Sequence, residues 1–137
     1  MSKINLNLLT ICDLAMISQE GKLSILGIFD RMFVQELPSS IARFFVVSIL
    51  TGKPGEKYNL SLQIKSPSGN ELIPPKELSI KTGDNGQSNI LTEAVGLPLT
   101  EIGEYKITLN YNNEKIGETK FNVMKAQNAD ITKQKHN

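Results

Sequence analysis

Four charged residues stand where the N-terminal third of the chain is otherwise apolar: Asp13 inside NLLTICDLAMIS, Asp30 and Arg31 inside KLSILGIFDRMFV, and Arg43 at the head of RFFVVSILTG. Paired carboxylates are what glycoside hydrolysis and other acid–base chemistry require, and arginine's planar fork suits a carboxylate. If Asp13, Asp30, Arg31 and Arg43 converged, they would form a small-ligand site or an active centre. The first hairpin decides how the two acids stand. Pairing Ile17 with Lys22 across the SQEG turn puts Asp13 opposite Leu26 and Asp30 opposite Leu9, on one face of one sheet. The acids would then lie about four residues apart, roughly 13 Å, against the ~5–10 Å of a glycosidase pair. A bulge at Gly21 slips the register by one and turns them to opposite faces. The simpler expectation is structural: Asp13 or Asp30 pairs with one of the two arginines, or with backbone N–H groups, at the rim of the fold.

The remaining reactive residues make no known catalytic set. Cys12 is the only cysteine, and His136, the only histidine, lies in the polar stretch AQNADITKQKHN. A nucleophile, a base and a group to orient the base are therefore not assembled by the sequence, and zinc lacks its several Cys or His ligands. GKPGEK does not have the spacing of a phosphate-binding P-loop. TGDNGQSN offers Asp84 and Asn85 but not the acidic series of a calcium loop. Both stretches read as turns, so no cofactor and no metal are expected.

Composition narrows the partners. The 137 residues, 39% hydrophobic and 21% charged, are enough for one domain with its own core. A formal net charge of +1 leaves no electrostatic footprint for nucleic acid. IARFFVVSIL, the longest apolar run, contains Arg43 and falls short of the roughly 20 residues of a membrane-spanning helix. A single cysteine and no recognisable signal peptide point to a reducing, cytoplasmic compartment.

Strand periodicity dominates what must position these residues. In YNLSLQIK, Tyr58, Leu60, Leu62 and Ile64 alternate with Asn59, Ser61, Gln63 and Lys65; EYKITLNY repeats the pattern, and Asn112 and Asn113 supply a turn before KIGETKFNVMK. NLLTICDLAMIS and KLSILGIFDRMFV are apolar on both sides and read as two long strands of a hairpin. RFFVVSILTG is a third long strand, LSIK and NILTEAVGL are shorter ones, and PSSIARF has room for one helical turn. The result is an all-β, immunoglobulin-like or fibronectin-type antiparallel β-sandwich of about seven to nine strands. The domain spans residues 1–125, followed by a polar, disordered tail over residues 126–137.

GEYKITLNYNNEKIGETKFNV resembles the last two strands of immunoglobulin-like domains, and the resemblance implies that Tyr105 packs its ring in the core and bonds a nearby backbone group with its hydroxyl. Up to about Lys125 the chain also resembles a small, uncharacterised bacterial family of β-sandwich proteins. The residues that carry this are CDLA at 12–15, GKLSILGIFDR at 21–31, LP at 37–38 and GLPLTEIGEY at 96–105. That family has no established activity, so the resemblance implies a fold and transfers no catalytic residue.

With no catalytic constellation in view, the expected function is a non-enzymatic module acting through protein–protein contact or self-association. Its surface would be an exposed sheet edge or the loop VQELPSSIA, which presents Leu37, Pro38 and Ile41 unless these fold inward as a lid. Neither nucleic acid nor membrane is expected as a partner. An enzyme or ligand carrier built on Asp13, Asp30, Arg31 and Arg43 is the competing expectation, and convergence of those side chains is its discriminating feature.

Overall fold

A computed structural model describes residues 3–126 and is all-β. Among the described residues nine strands form: β1 (Asn5–Ile17), β2 (Leu23–Ile28), β3 (Arg31–Val34), β4 (Ser39–Thr51), β5 (Lys57–Lys65), β6 (Lys76–Lys81), β7 (Gln87–Leu99), β8 (Gly103–Tyr111) and β9 (Glu114–Lys125). They build a β-sandwich of two sheets, a four-stranded one ordered β2-β1-β4-β7 and a five-stranded one ordered β3-β9-β8-β5-β6. All pairs are antiparallel except β3 with β9, which run parallel. The segment expected to make a helical turn, PSSIARF, instead enters β4 at Ser39, because Ser39, Ser40, Ile41, Arg43 and Phe44 pair with Leu99, Pro98, Leu97, Val95 and Ala94 in the β7 ladder.

Alternating strands fold as their pattern dictates. Leu60, Leu62 and Ile64 of β5, Tyr105, Ile107 and Leu109 of β8, and Phe121 and Val123 of β9 are buried against Phe44, Val46 and Leu50 of β4, with Tyr58 also buried at the start of β5 and the polar residues between them facing out. Asn112 and Asn113 adopt left-handed backbone (φ 52° and 63°) in the two-residue turn between Tyr111 and Glu114, the conformation such a hairpin requires. Close approach of the sheets needs Gly117, where a Cβ would overlap the Leu6 side chain from β1.

The tyrosine corner is present. Tyr105 is fully buried, its ring stacks on Phe121 with centroids 5.1 Å apart, and its hydroxyl donates to Glu101 O at 2.7 Å while accepting from Glu101 N–H at 3.2 Å. A second tyrosine works similarly at the opposite end: Tyr58 Oη accepts from Lys53 N–H at 2.8 Å. At that end Thr82 Oγ1 donates to Lys53 O at 2.5 Å and accepts from Glu56 N–H at 3.0 Å. These bonds satisfy loop backbone groups that the ladders leave unpaired.

KLSILGIFDRMFV is not one strand. Phe29 N–H still donates to Ile11 O at 3.3 Å, but Phe29 then packs edge-to-face on Phe44 in the core, and Asp30 O accepts from Asn122 N–H of β9 at 2.9 Å. The chain thus crosses from one sheet to the other within two residues, and β2 and β3 belong to different layers. Ala126 N–H donates to Val34 O at 2.8 Å. The rest of the expected tail, with His136, lies outside the described residues.

Candidate functional site

The β1–β2 hairpin takes the slipped register. Gly21 has φ +85° and its N–H donates to Ser18 O at 2.9 Å, so a three-residue turn with a glycine bulge brings Ile17 opposite Leu23, Ala15 opposite Ile25 and Leu14 opposite Leu26. Asp13 therefore falls opposite Gly27, whose absent side chain makes room for it: a Cβ there would sit 2.5 Å from Asp13 Oδ2. Asp30 lies beyond the end of β2, so the two acids do not share a sheet face.

Each of the four charged residues finds its own surroundings. Asp30 Oδ1 accepts from Nε of the adjacent Arg31 at 3.3 Å, with both side chains well exposed. Arg43 projects from the outer side of β4, where its Nε lies 2.6 Å from Glu93 Oε2 and its guanidinium covers the Phe45 ring at 5.1 Å. Asp13 is exposed on β1. Asp30 and Arg31 line a shallow groove of about 400 Å³ with Ile102, Gly103, Asn122 and Met124, and neither Asp13 nor Arg43 enters it. The four side chains do not converge. The expected pairing of an acid with an arginine is realised by Asp30, at an exposed crossover rather than inside a rim.

The three apolar loop residues are split. Ile41 is buried within the core from β4, whereas Leu37 and Pro38 are exposed in the connection leading to that strand. Cys12 is fully buried and packs with Ala15 and Val47; burial pushes its thiol pKa up, and the nearby Asp13 charge adds to the shift. Such a thiol is a poor nucleophile. Glu101 is held below its usual range, chiefly because Ser68 Oγ donates to its Oε1 at 2.7 Å. Among the described residues no group of three or more His, Cys, Asp or Glu side chains is placed to hold a metal ion, and no helix is long and apolar enough to cross a membrane.

Sequence reasoning missed a different feature. β1 pairs with β4 only as far as Cys12, yet continues to pair with β2 through Ile17, while β4 runs on to Ser39 against β7 alone, so residues 13–17 and 23–27 form a two-stranded ribbon that parts from β4. Ala15, Leu23 and Ile25 of this ribbon pack with Cys12, Val47, Phe45 and Leu91 in an apolar cluster separate from the main core. Leu26 and Ile28 remain 56% and 64% exposed, beside Met16 at 49% and Ile17 at 45%. The other sheet's outer side contrasts sharply: its groove of about 480 Å³ is lined by Asn59, Ser61, Gln63, Glu77, Asn110 and Asn112.

Comparisons with known proteins bear on the fold. Residues 7–124 match a sequence family described as "Family of unknown function (DUF6941)". No curated protein matches the sequence. Among solved structures, the chain is similar to the alkylpurine DNA glycosylase AlkC of Pseudomonas fluorescens (TM-score 0.55, 14% identity, 88% of this chain and 30% of that one). It is also similar to a β-glucosidase from Listeria innocua (TM-score 0.54, 6% identity, 90% of this chain and 16% of that one). An immunoglobulin-like protein from Pseudomonas aeruginosa aligns over 88% of this chain and 96% of its own, at 14% identity and a TM-score of 0.48. The chain spans less than a third of the length of the two enzymes, and identities this low speak to fold alone.

Proposed function

The chain belongs to the DUF6941 family, and we propose that it is a non-enzymatic β-sandwich module that works through protein–protein contact in a reducing, cytoplasmic setting, with the β1–β2 ribbon as its docking element. The ribbon itself carries this reading. A two-stranded hairpin is marginal in water unless a face is covered. This one covers Ala15, Leu23 and Ile25 against the sheet but leaves Leu26, Ile28 and Met16 largely exposed. Apolar side chains left exposed together on such a ribbon are a mark of an interaction surface.

Site-specific incorporation of a photo-cross-linking phenylalanine in the producing cell tests the proposal. Placed at Leu26, it should give discrete protein cross-links; placed at Asn59, on the polar outer side of β5, it should give none. Equal labelling from the two positions, or none from Leu26, would refute the ribbon as a docking element.

A further inference from the structure

The turn between β6 and β7, Gly83-Asp84-Asn85-Gly86, holds the only asparagine of the chain that is followed by glycine. An asparagine's amide carbon can be reached by the backbone nitrogen of the next residue, and a side chain on that residue is what ordinarily hinders the approach. The fold admits none here. Gly86 has φ +80°, and a Cβ at this position would overlap Gly52 O. Gly52 N–H donates to Gly86 O at 2.7 Å, so the turn packs backbone to backbone against the loop before β5. Asn85 itself is exposed, and its Oδ1 accepts from Gln87 N–H at 3.0 Å. The ring closed by that bond contains Gly86 N, which keeps the nitrogen close to the amide carbon while Gln87 polarises it. Gly86 N–H donates to Gly83 O at 2.9 Å, and this is the bond that must open before the nitrogen can react.

We propose that Asn85 is a self-modification site, where the folded protein converts asparagine through a cyclic imide with Gly86 into aspartate and isoaspartate. Gly86 N gives its proton to hydroxide and attacks Asn85 Cγ, forming a Cγ–N bond, while Gln87 N–H donates to Oδ1 as that oxygen takes on negative charge. Collapse breaks the Cγ–Nδ2 bond, and the nitrogen leaves as ammonia with a proton from water. Water then opens the imide: addition at Cγ frees Gly86 N and leaves aspartate, whereas addition at the backbone carbonyl carbon of Asn85 leaves isoaspartate. One water is consumed, one ammonia is released, and nothing is oxidised or reduced. The two products act differently on the turn. Aspartate keeps an oxygen for Gln87 N–H and adds a charge beside Asp84, so the turn survives. Isoaspartate adds a carbon to the main chain between positions 85 and 86 and pulls Gly86 away from its bonds to Gly52 and Gly83.

Incubation of the full chain at physiological temperature, in mildly acidic and in mildly alkaline buffer, tests this, with far-UV circular dichroism to follow the fold and mass spectrometry of the tryptic fragment Thr82–Lys106 to follow the chemistry. That fragment also carries Asn89, which precedes the buried, β-branched Ile90 and serves as an internal standard. Asn85 should convert at least about tenfold faster than Asn89, faster in the alkaline buffer than in the acidic one, and into both products. Asn85→Asp should melt at the wild-type Tm, whereas aged protein enriched in isoaspartate should melt lower. An Asn85 that converts no faster than Asn89, or at the same rate in both buffers, overturns the proposal. Aspartate formed without isoaspartate would mean direct hydrolysis by water and overturns it too, because Gly86 would then take no part. An isoaspartate-rich sample that melts as high as Asn85→Asp would overturn the displacement of Gly86.

Discussion

Replacing Tyr105 by Phe isolates one oxygen. The ring would keep its stacking on Phe121, while Glu101 would lose the hydroxyl that accepts from its N–H and donates to its C=O. A buried backbone group left without a partner costs about 1–3 kcal/mol, and Glu101 is only half-buried, so water can rescue part of each loss. The two together should lower stability by about 1.5–3 kcal/mol. For about 120 ordered residues the unfolding entropy near Tm is roughly 0.25 kcal/mol/K, so Tm should fall by about 6–12 °C. Urea unfolding gives the free energy directly, and Tyr111→Phe, at a half-buried position beside the hairpin turn, is the control, expected to stay within about 0.5 kcal/mol. A Tyr105→Phe protein as stable as that control would refute the corner as an anchor of the β7–β8 connection.

Two further outcomes follow from the site geometry. Because burial raises the Cys12 thiol pKa, the unfolded chain loses its proton first as pH rises: stability should be full below about pH 8.5 and decline above it, a slope that Cys12→Ala should remove, and native Cys12 should react with a thiol-specific reagent far more slowly than the unfolded chain. Asp13→Asn and Asp30→Asn should each change unfolding free energy by no more than about 0.5 kcal/mol, since both acids are exposed and solvent screens the Asp30–Arg31 pair; a loss above about 1 kcal/mol in either would restore a buried role for that carboxylate.

What was legible in the sequence depended on which strands face water on one side. β5, β8 and β9 do, so their residues alternate and their burial can be read directly, from Tyr58 through Val123. β1, β2 and β4 are apolar on both sides because Cys12, Val47, Phe45 and Leu91 form a second cluster on the other side of the sheet from the main core. That erased the period and hid the break at Phe29. Gly27 and Asp30 were the available signals: an isolated glycine within a strand pattern marks an irregular or close backbone, and an aspartate in an apolar run marks a surface crossing. The candidate site was less legible still. Whether LSILGI is an edge is a property of sheet order, not of its own residues, and only the order β2-β1-β4-β7 exposes it.

Magnitudes decide between docking by apolar contact alone and docking by strand pairing. Leu26, Ile28 and Met16 are already half exposed or more, so what they gain comes only on association, about 0.8–1.5 kcal/mol each for burying the exposed half of a large side chain. Three such residues give roughly 2–5 kcal/mol, while association costs an estimated 4–15 kcal/mol in lost freedom before any side chain is ordered. The patch by itself leaves little or nothing over. An occupant that brings a strand adds backbone hydrogen bonds at about 0.5–1.5 kcal/mol each along a neutral edge, enough to tip the balance toward binding. A partner with a smooth apolar face lacks that term. The arithmetic therefore favours a strand-bearing occupant over one that offers only a smooth apolar face.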